Sequence, residues 1–253
     1  MDQALTIDIP KNCPVCSSPY MAYVRNVLTL RTKRSISLYA CLKCRSFTNP
    51  SGYIEGEAQL LRDLEWHRSV EQRNTKAAWV LLESLKQTVK EIKCIVEIGC
   101  GSGTLLRAAK EEGIECVGFD VNLFAIEYGK KKHGLDLRTE FWSADTRCGT
   151  PDMILCISVM EHMVHPRELF SEIAKASHKY SAWVFISVPF LNEDKWIHIL
   201  DPDPYRDNTP FFDNDVHVTH FSDEGMKLLA HQHNVKYMIR NSSTVWHGYL
   251  MKF

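Results

Sequence analysis

The sequence predicts an α/β fold in which a mostly parallel sheet carries helices on both faces, joined to a small cysteine-containing module. A short buried strand pattern at 94–98 runs into three glycines at alternate positions and then directly into a helical pattern from Thr104. Apolar strand patterns and amphipathic helices alternate after it, which is typical of a parallel sheet. Two Cys-x2-Cys pairs precede this region and indicate a separate module.

Composition is that of an ordinary globular protein. The 253 residues are 45% hydrophobic and 24% charged, with a net charge of -1. This length leaves room for one α/β domain and a small extra module. The near-neutral charge gives no global attraction for nucleic acid or an anionic membrane. The sequence begins without an apolar signal region and has no apolar run long enough to cross a bilayer, so we expect a cytoplasmic protein without a membrane partner.

The N-terminal module has the ligand spacing of a zinc ribbon. Its candidate ligands are Cys13, Cys16, Cys41 and Cys44. Four thiolates would close a tetrahedral site, so the zinc would be structural. The β-rich stretches 20–30 and 36–40 between the cysteine pairs suit the hairpin of such a ribbon. Two reduced thiol pairs, or two disulfides, are the open alternatives.

The same module is basic. Its positive residues are Lys11, Arg25, Arg31, Lys33, Arg34, Lys43 and Arg45. This charge could serve a phosphate-bearing partner such as RNA or a nucleotide-sugar. A solvated, non-functional face of the ribbon is the simpler interpretation.

A turn-rich linker at 49–56 separates the ribbon from a long helical stretch at 57–91. We place the domain boundaries at 1–52 for the ribbon, 53–92 for a helical cover, and 93–253 for the α/β domain.

The glycine segment carries a resemblance to a known family. Glu97-Ile-Gly-Cys-Gly-Ser-Gly103 is similar to motif I of the class I S-adenosylmethionine (SAM) dependent methyltransferases. A dinucleotide fingerprint would need glycine at position 104, where this chain has Thr104. The resemblance implies a Rossmann-like sheet, an antiparallel last strand and SAM as cofactor. It implies cofactor contacts from Glu97, Gly99, Cys100, Gly101 and Gly103.

Two acidic residues extend the cofactor site. Strand two, at 114–119, ends at Asp120, where a carboxylate can accept both ribose hydroxyls. This position matches the acidic residue of methyltransferase motif II, and Val121 beside it joins the cofactor-binding set. After strand three, at 135–142, Asp145 resembles the residue that contacts the adenine amine in the family. The alternatives are a helix-cap role for Asp120 and a loop-turn role for Asp145.

Strand four, at 152–158, is apolar throughout and ends at Ser158, which we include among the cofactor-binding residues. Glu161 and His162 follow it, and a helix begins at Pro166. This arrangement resembles the methyltransferase subgroup that includes ubiquinone-pathway enzymes and many sugar and natural-product enzymes.

The stretch 190–221 predicts an insertion that covers the substrate, because it is rich in proline and aromatic residues and shows no clear period. Ser222 then caps a helix that runs to His233. The segments 234–240 and 244–251 are the last strands, which form an antiparallel hairpin in the family.

Histidines at the predicted pocket are candidates for a catalytic base. Methyl transfer to an oxygen acceptor requires removal of a proton, and histidine titrates in the appropriate range. The candidates are His162, His217 and His220, with Glu161 positioned to orient a histidine or bind substrate. Purely structural histidines are an alternative, as is a catalytic metal on Glu161 and His162 with a third ligand from the insertion.

The sequence therefore predicts a SAM-dependent methyltransferase acting on a small-molecule acceptor: a sugar, a nucleotide-sugar or a secondary-metabolite intermediate. An RNA-modifying methyltransferase that uses the basic ribbon is the first alternative. A non-catalytic scaffold of the same fold is the second, although the intact Glu97, glycines and Asp120 argue against it.

Overall fold

The computed structural model describes residues 10–28, 35–50, 57–191, 216–242 and 246–253. Most of the predicted insertion (192–215) and of the predicted linker (51–56) lies outside these residues. The chain divides into two compact units. The smaller comprises 1–53, 161–167 and 189–232, and the larger comprises 54–160, 168–188 and 233–253. The predicted domain boundaries stay predictions.

The strands, in chain order, are β1 Met21–Leu28, β2 Ser35–Cys41, β3 Phe47–Thr48, β4 Cys94–Ile98, β5 Glu115–Phe119, β6 Asp136–Arg138, β7 Met153–Ile157, β8 Trp183–Ser187, β9 Thr219–His220, β10 Tyr237–Asn241 and β11 Gly248–Lys252. The helices are α1 Glu57–Thr88, α2 Thr104–Glu111, α3 Leu123–His133, α4 Pro166–Tyr180 and α5 Asp223–Gln232, with a short 3-10 turn at Met160–His162.

The larger unit contains a seven-stranded sheet in the order β10-β11-β8-β7-β4-β5-β6. The strands from β8 to β6 pair in parallel, whereas β11 pairs antiparallel with both β8 and β10. This confirms the predicted mostly parallel sheet with an antiparallel end. The third strand is shorter than its apolar pattern suggested, because only 136–138 pair with β5 at the sheet edge; Phe141 beyond them is 85% exposed.

Local signals place the helices after β4 and β5. Helix α2 buries Leu105, Leu106, Ala108 and Ala109 against the sheet. The side chain of Asn122 accepts hydrogen bonds from the N–H groups of Phe124 and Ala125, so it caps α3. Gly134 ends α3 in the left-handed conformation. Both helices therefore begin directly at the carboxyl ends of the strands that precede them.

A tight contact fixes α3 against the glycine turn. A Cβ atom added at Gly129 would lie 2.3 Å from the backbone oxygen of Ser102. We expect Gly129→Ala to lower the free energy of unfolding by about 1–3 kcal/mol, because neither backbone can yield without strain. Urea unfolding measures this loss. Glu127→Ala, on an exposed position of the same helix, should leave the free energy of unfolding nearly unchanged.

The smaller unit contains a four-stranded antiparallel sheet in the order β1-β2-β3-β9. The hairpin of β1 and β2 was predicted from the sequence. The pairing of β3 with β9 was not predicted: Phe47 of β3 lies opposite His220, and Thr48 lies opposite Thr219. The Ser222 side chain accepts a hydrogen bond from the Gly225 N–H at 2.8 Å and caps α5, as predicted.

Among the helices that the structure describes, none combines the length and the apolar character that a membrane crossing would require.

Candidate active site

The turn between β4 and α2 is built from glycines in the left-handed conformation. Gly99, Gly101 and Gly103 have φ values of 70°, 52° and 76°, a region that other residues enter only with strain. The N–H groups of Gly99 and Cys100 donate to the carbonyl of Phe119 at 2.7 and 3.0 Å. The turn is thus bound to the end of β5, and its glycines let the side chains of Val159, His67 and Leu135 approach where a Cβ would collide with them.

Asp120 holds the other side of the turn. One carboxylate oxygen accepts from the Gly101 N–H at 2.7 Å, and the other accepts from the Asn122 N–H at 2.8 Å. Burial raises the pKa of this carboxyl, while the two N–H groups act in the opposite direction. Asp120 therefore links the glycine turn to the start of α3. Asn122, not Asp120, supplies the cap of that helix.

Glu97 lies on β4 beneath the turn and is only 5% exposed. Burial raises the pKa of its carboxyl to about 8, and the negative charge of Asp120 adds to the effect. The group is therefore protonated at neutral pH in the SAM-free protein.

Because Glu97 is protonated in the folded state, we expect the stability of the SAM-free protein to depend on pH. The folded state keeps this proton up to about pH 8, whereas the unfolded chain releases it near the ordinary value of 4.5. The SAM-free protein should therefore lose stability as the pH rises from 4.5 to 8, with a slope of at most about 1.4 kcal/mol per pH unit. Glu97→Gln should flatten that slope in urea titrations across this range. Glu115→Gln, at an exposed position on the neighbouring strand, should leave the slope unchanged.

His67 of α1 lies against the glycine turn. A Cβ added at Gly101 would approach its ring carbon Cε1 to 2.6 Å. Burial lowers the pKa of this imidazole, and the charges of Asp120 and Asp63 oppose that shift only in part. The sequence predicts a helical cover over 53–92, and His67 lies within that segment. Which side chains of the cover approach the glycine turn depends on the rotation of α1, which packing sets.

The remaining cofactor candidates lie at the carboxyl ends of the strands or in the loops that follow them. Cys100 is buried, and Val121 is 48% exposed directly after Asp120. Ser158 has a φ of 55°, a strained conformation for a non-glycine residue and one that is common at functional sites. Asp145 is 95% exposed at its side chain and pairs with Lys179 at 3.5 Å. Its predicted adenine contact stays a prediction.

The smaller unit brings the four catalytic candidates together. His162 Nδ1 lies 2.8 Å from the carbonyl oxygen of Val216, and His162 Nε2 lies 3.9 Å from Oε1 of the buried Glu161. The rings of His162 and His217 are 5.0 Å apart, and those of His217 and His220 are 6.3 Å apart. The ligating atoms of Glu161, His162 and His217 all lie within 4.8 Å of one another. This cluster therefore has the composition of a proton-accepting site or of a cation site.

The four cysteines of the ribbon also converge, and all are buried. The sulfur atoms of Cys13 and Cys44 are 3.7 Å apart, and those of Cys16 and Cys41 are 3.6 Å apart. These distances exclude disulfides, in which the sulfurs would be about 2 Å apart. They match the edge of a tetrahedron with Zn–S bonds of about 2.3 Å, which is about 3.8 Å.

Comparison with known proteins gives the family. The model of the methyltransferase domain family matches residues 65–238, which is more than half of the chain. The chain belongs to this family. It is thus a class I SAM-dependent methyltransferase by family and by fold, as the glycine motif implied. The residues matched include the glycine turn, Asp120 and the Glu161–His162 segment.

Individual relatives are more distant. The chain is 31% identical over 116 residues to a ubiquinone biosynthesis O-methyltransferase of Photobacterium profundum, covering 43% of this chain and 48% of that protein. It is 31% identical over 108 residues to the mitochondrial enzyme of that name from Schizosaccharomyces pombe, covering 37% of this chain and 39% of that protein. This methyltransferase therefore matches at most about half the length of these two curated relatives.

Solved structures agree in fold. A SAM-dependent methyltransferase of Archaeoglobus fulgidus superposes with a TM-score of 0.52 at 19% identity, covering 70% of this chain and 76% of that one. Human N-acetylserotonin methyltransferase, solved in complex with SAM, superposes with a TM-score of 0.56 at 12% identity, covering 78% of this chain and 56% of that one. At such identities the likeness concerns the methyltransferase fold alone.

Proposed function

We propose that this methyltransferase transfers the methyl group of SAM to a hydroxyl of a small-molecule acceptor, with His162 as the general base. The curated relatives named above are O-methyltransferases of ubiquinone biosynthesis, which supports an oxygen acceptor. A sugar, a nucleotide-sugar or a secondary-metabolite intermediate with a free hydroxyl is the acceptor class that we propose.

The contact between His162 and Val216 is the observation that supports His162 as the general base. A backbone carbonyl only accepts hydrogen bonds, so the 2.8 Å contact requires that Nδ1 of His162 carry the proton. In the neutral ring, Nε2 is then the unprotonated nitrogen. That nitrogen is the one that can take a proton from an acceptor hydroxyl.

Glu161 supports this role through its position. Its side chain is 2% exposed, and Oε1 lies 3.9 Å from His162 Nε2. When the acceptor hydroxyl gives its proton to Nε2, the ring becomes a cation, and a negative charge on Glu161 at this distance would stabilise it. The acceptor oxygen forms its new bond to the methyl carbon as the carbon–sulfur bond breaks. SAM, when bound, supplies a methyl group that its sulfonium centre has already activated.

The glycine turn, Glu97 and Asp120 would hold the cofactor. The residues fit SAM: left-handed glycines form the turn, and Asp120 directly follows the end of β5, where a carboxylate can accept hydrogen bonds from ribose hydroxyls. Glu97 holds its buried carboxyl beneath the same turn. This assignment of roles rests on the motif and on the contacts within the larger unit.

A structural zinc ion on the four cysteines completes the proposal. The backbone N–H groups of Val15 and Cys16 point at Cys13 Sγ, at 3.4 and 3.5 Å, and that of Cys44 points at Cys41 Sγ at 3.5 Å. Such donors stabilise thiolates, which are the form that ligates zinc. The donor set leaves zinc no open coordination position and hence no catalytic role.

The test is methyl transfer from isotopically labelled SAM to three acceptor pools: small-molecule phenols and catechols, nucleotide-sugars, and bulk RNA. We expect label in a small molecule, bonded to oxygen by mass spectrometry. Label in RNA alone, with binding that weakens steeply as salt rises, would replace this proposal with the RNA-modifying alternative. Failure of the folded protein to bind SAM would leave the scaffold alternative.

A divalent cation is the competing occupant of the histidine cluster, because Glu161, His162 and His217 also suit metal coordination. The two roles differ in their response to added metal. If methyl transfer requires added Mg²⁺, Mn²⁺ or Zn²⁺ in addition to the one structural zinc per chain, a metal-activated acceptor would be favoured. Transfer that depends on pH but not on added metal would favour the base.

A further inference from the structure

We propose that the four-cysteine ribbon is a positioning element of the catalytic cluster, so that metal on the cysteines holds His162, His217 and Glu161 in their active arrangement. The proposal rests on the proposed function in treating this cluster as the site that accepts the proton. It assigns the ribbon a role in the reaction itself, beyond that of an appended stable module.

The first link runs from the ribbon to the residue that follows His217. The Val218 carbonyl accepts a hydrogen bond from the Asn49 N–H at 2.8 Å and another from the Thr48 hydroxyl at 3.3 Å. Val218, Thr48 and Asn49 are at most 3% exposed. Immediately beyond Val218, β9 pairs with β3. The backbone carrying His217 is therefore fastened to the last strand of the ribbon.

The second link runs from the same residue to the other half of the cluster. The Val218 N–H donates to the backbone carbonyl of Glu161 at 2.8 Å, and the Thr219 hydroxyl donates to the carbonyl of Met163 at 2.8 Å. Residues 218–219 thus lie between the ribbon and the Glu161–Met163 turn and bond to both. A shift of β3 would be passed through two backbone groups to His162 and His217.

The third link ties the cysteine knuckles to the helix after β9. The Ser222 hydroxyl donates to the carbonyl of Cys44, and the Ser222 N–H donates to the Ser46 hydroxyl at 3.2 Å. At the other knuckle, the Gln232 side chain donates to the Cys16 carbonyl at 3.0 Å. Both ends of α5 therefore contact backbone that the metal site would fix.

The ribbon depends on its metal for this rigidity. Its hydrophobic cluster is small, formed by Val27, Ile36, Leu38, Ala40, Phe47 and Leu191. A module of this size gains too little from apolar burial to fold firmly alone, so metal binding supplies folding energy. Strand β9 has two residues and would not persist without the β3 edge.

The first test removes the metal from the full-length protein with a chelator and follows the histidine rings by nitrogen–proton NMR. We expect the Nδ1-protonated signature of His162 to disappear and to return with one equivalent of Zn²⁺. SAM affinity, measured by calorimetry, should change less than about threefold, because the glycine turn belongs to the larger unit. Unchanged histidine signals in metal-free protein would overturn the proposal.

A second test avoids the unfolding that chelation can cause. Thr48→Val keeps the shape of the side chain but removes its bond to the Val218 carbonyl. We expect kcat to fall about tenfold at unchanged zinc content and unchanged KM for SAM, with Thr48→Ser restoring it. Ser37→Ala, which removes a hydroxyl that donates to Asn26 on the outer strands, is the matched control and should retain full kcat.

The outcomes separate the two proposals. A protein that takes up no metal, or a Thr48→Val variant with unchanged kcat and His162 signals, contradicts the positioning role. Metal-dependent His162 signals in a protein that methylates no acceptor would instead support the positioning role and contradict the proposed function alone.

Discussion

Replacing His162 by asparagine should lower kcat for methyl transfer by about 100- to 1,000-fold while SAM affinity stays unchanged. The asparagine amide can still donate to the Val216 carbonyl in place of Nδ1, so the backbone contact is preserved. What the variant lacks is the basic nitrogen at the Nε2 position. The expected factor is that of a lost general base. Single-turnover rates with saturating SAM measure the effect directly.

The control for His162→Asn is His165→Asn, an exposed histidine three residues further along the chain. It should retain the activity of the unsubstituted protein. A His162→Asn variant with full activity would show that another group accepts the proton.

Local signals in the sequence were sufficient for much of the fold and for the cofactor side of the site. Glycines in a left-handed turn, a cap at Asn122 and a stop at Gly134 act within a few residues of their own position, so their patterns survive without tertiary information. The continuous apolar pattern of β7 likewise predicted a central strand, and β7 lies between β4 and β8.

Contacts between distant segments were not predictable in the same way. Thr48 and Thr219 are 171 positions apart and pair in a two-residue ladder, which leaves no period in the sequence. The contact of His162 with Val216 joins a side chain to a backbone carbonyl, and any residue at 216 would supply that oxygen. Likewise, His67 approaches Gly101 only because packing sets the rotation of α1. The candidate catalytic residues could be selected by residue type, whereas their contacts with one another depend on packing.

The largest expected effect on the cofactor side is that of Asp120→Ala, which should weaken SAM binding by about 100-fold or more. The substitution removes a carboxylate that accepts hydrogen bonds from the N–H groups of Gly101 and Asn122, so the glycine turn loses its attachment to α3. It also removes the predicted acceptor for the ribose hydroxyls. Two hydrogen bonds from the ribose hydroxyls to this carboxylate would contribute about 3 kcal/mol or more to binding, which corresponds to about 100-fold in affinity.

Asp120→Asn separates the two contributions, because the amide keeps one acceptor oxygen but loses the negative charge. Its affinity for SAM should lie between those of the unsubstituted protein and Asp120→Ala. Asp136→Ala is the matched control: Asp136 lies on the neighbouring strand β6 and pairs at the surface with Arg138, so its loss should leave SAM affinity unchanged. Calorimetric titration with SAM, and separately with NAD, measures all three variants. Undiminished SAM binding by a folded Asp120→Ala protein would show that Asp120 does not belong to the cofactor site. Tighter binding of NAD than of SAM would contradict the assignment of SAM as the cofactor.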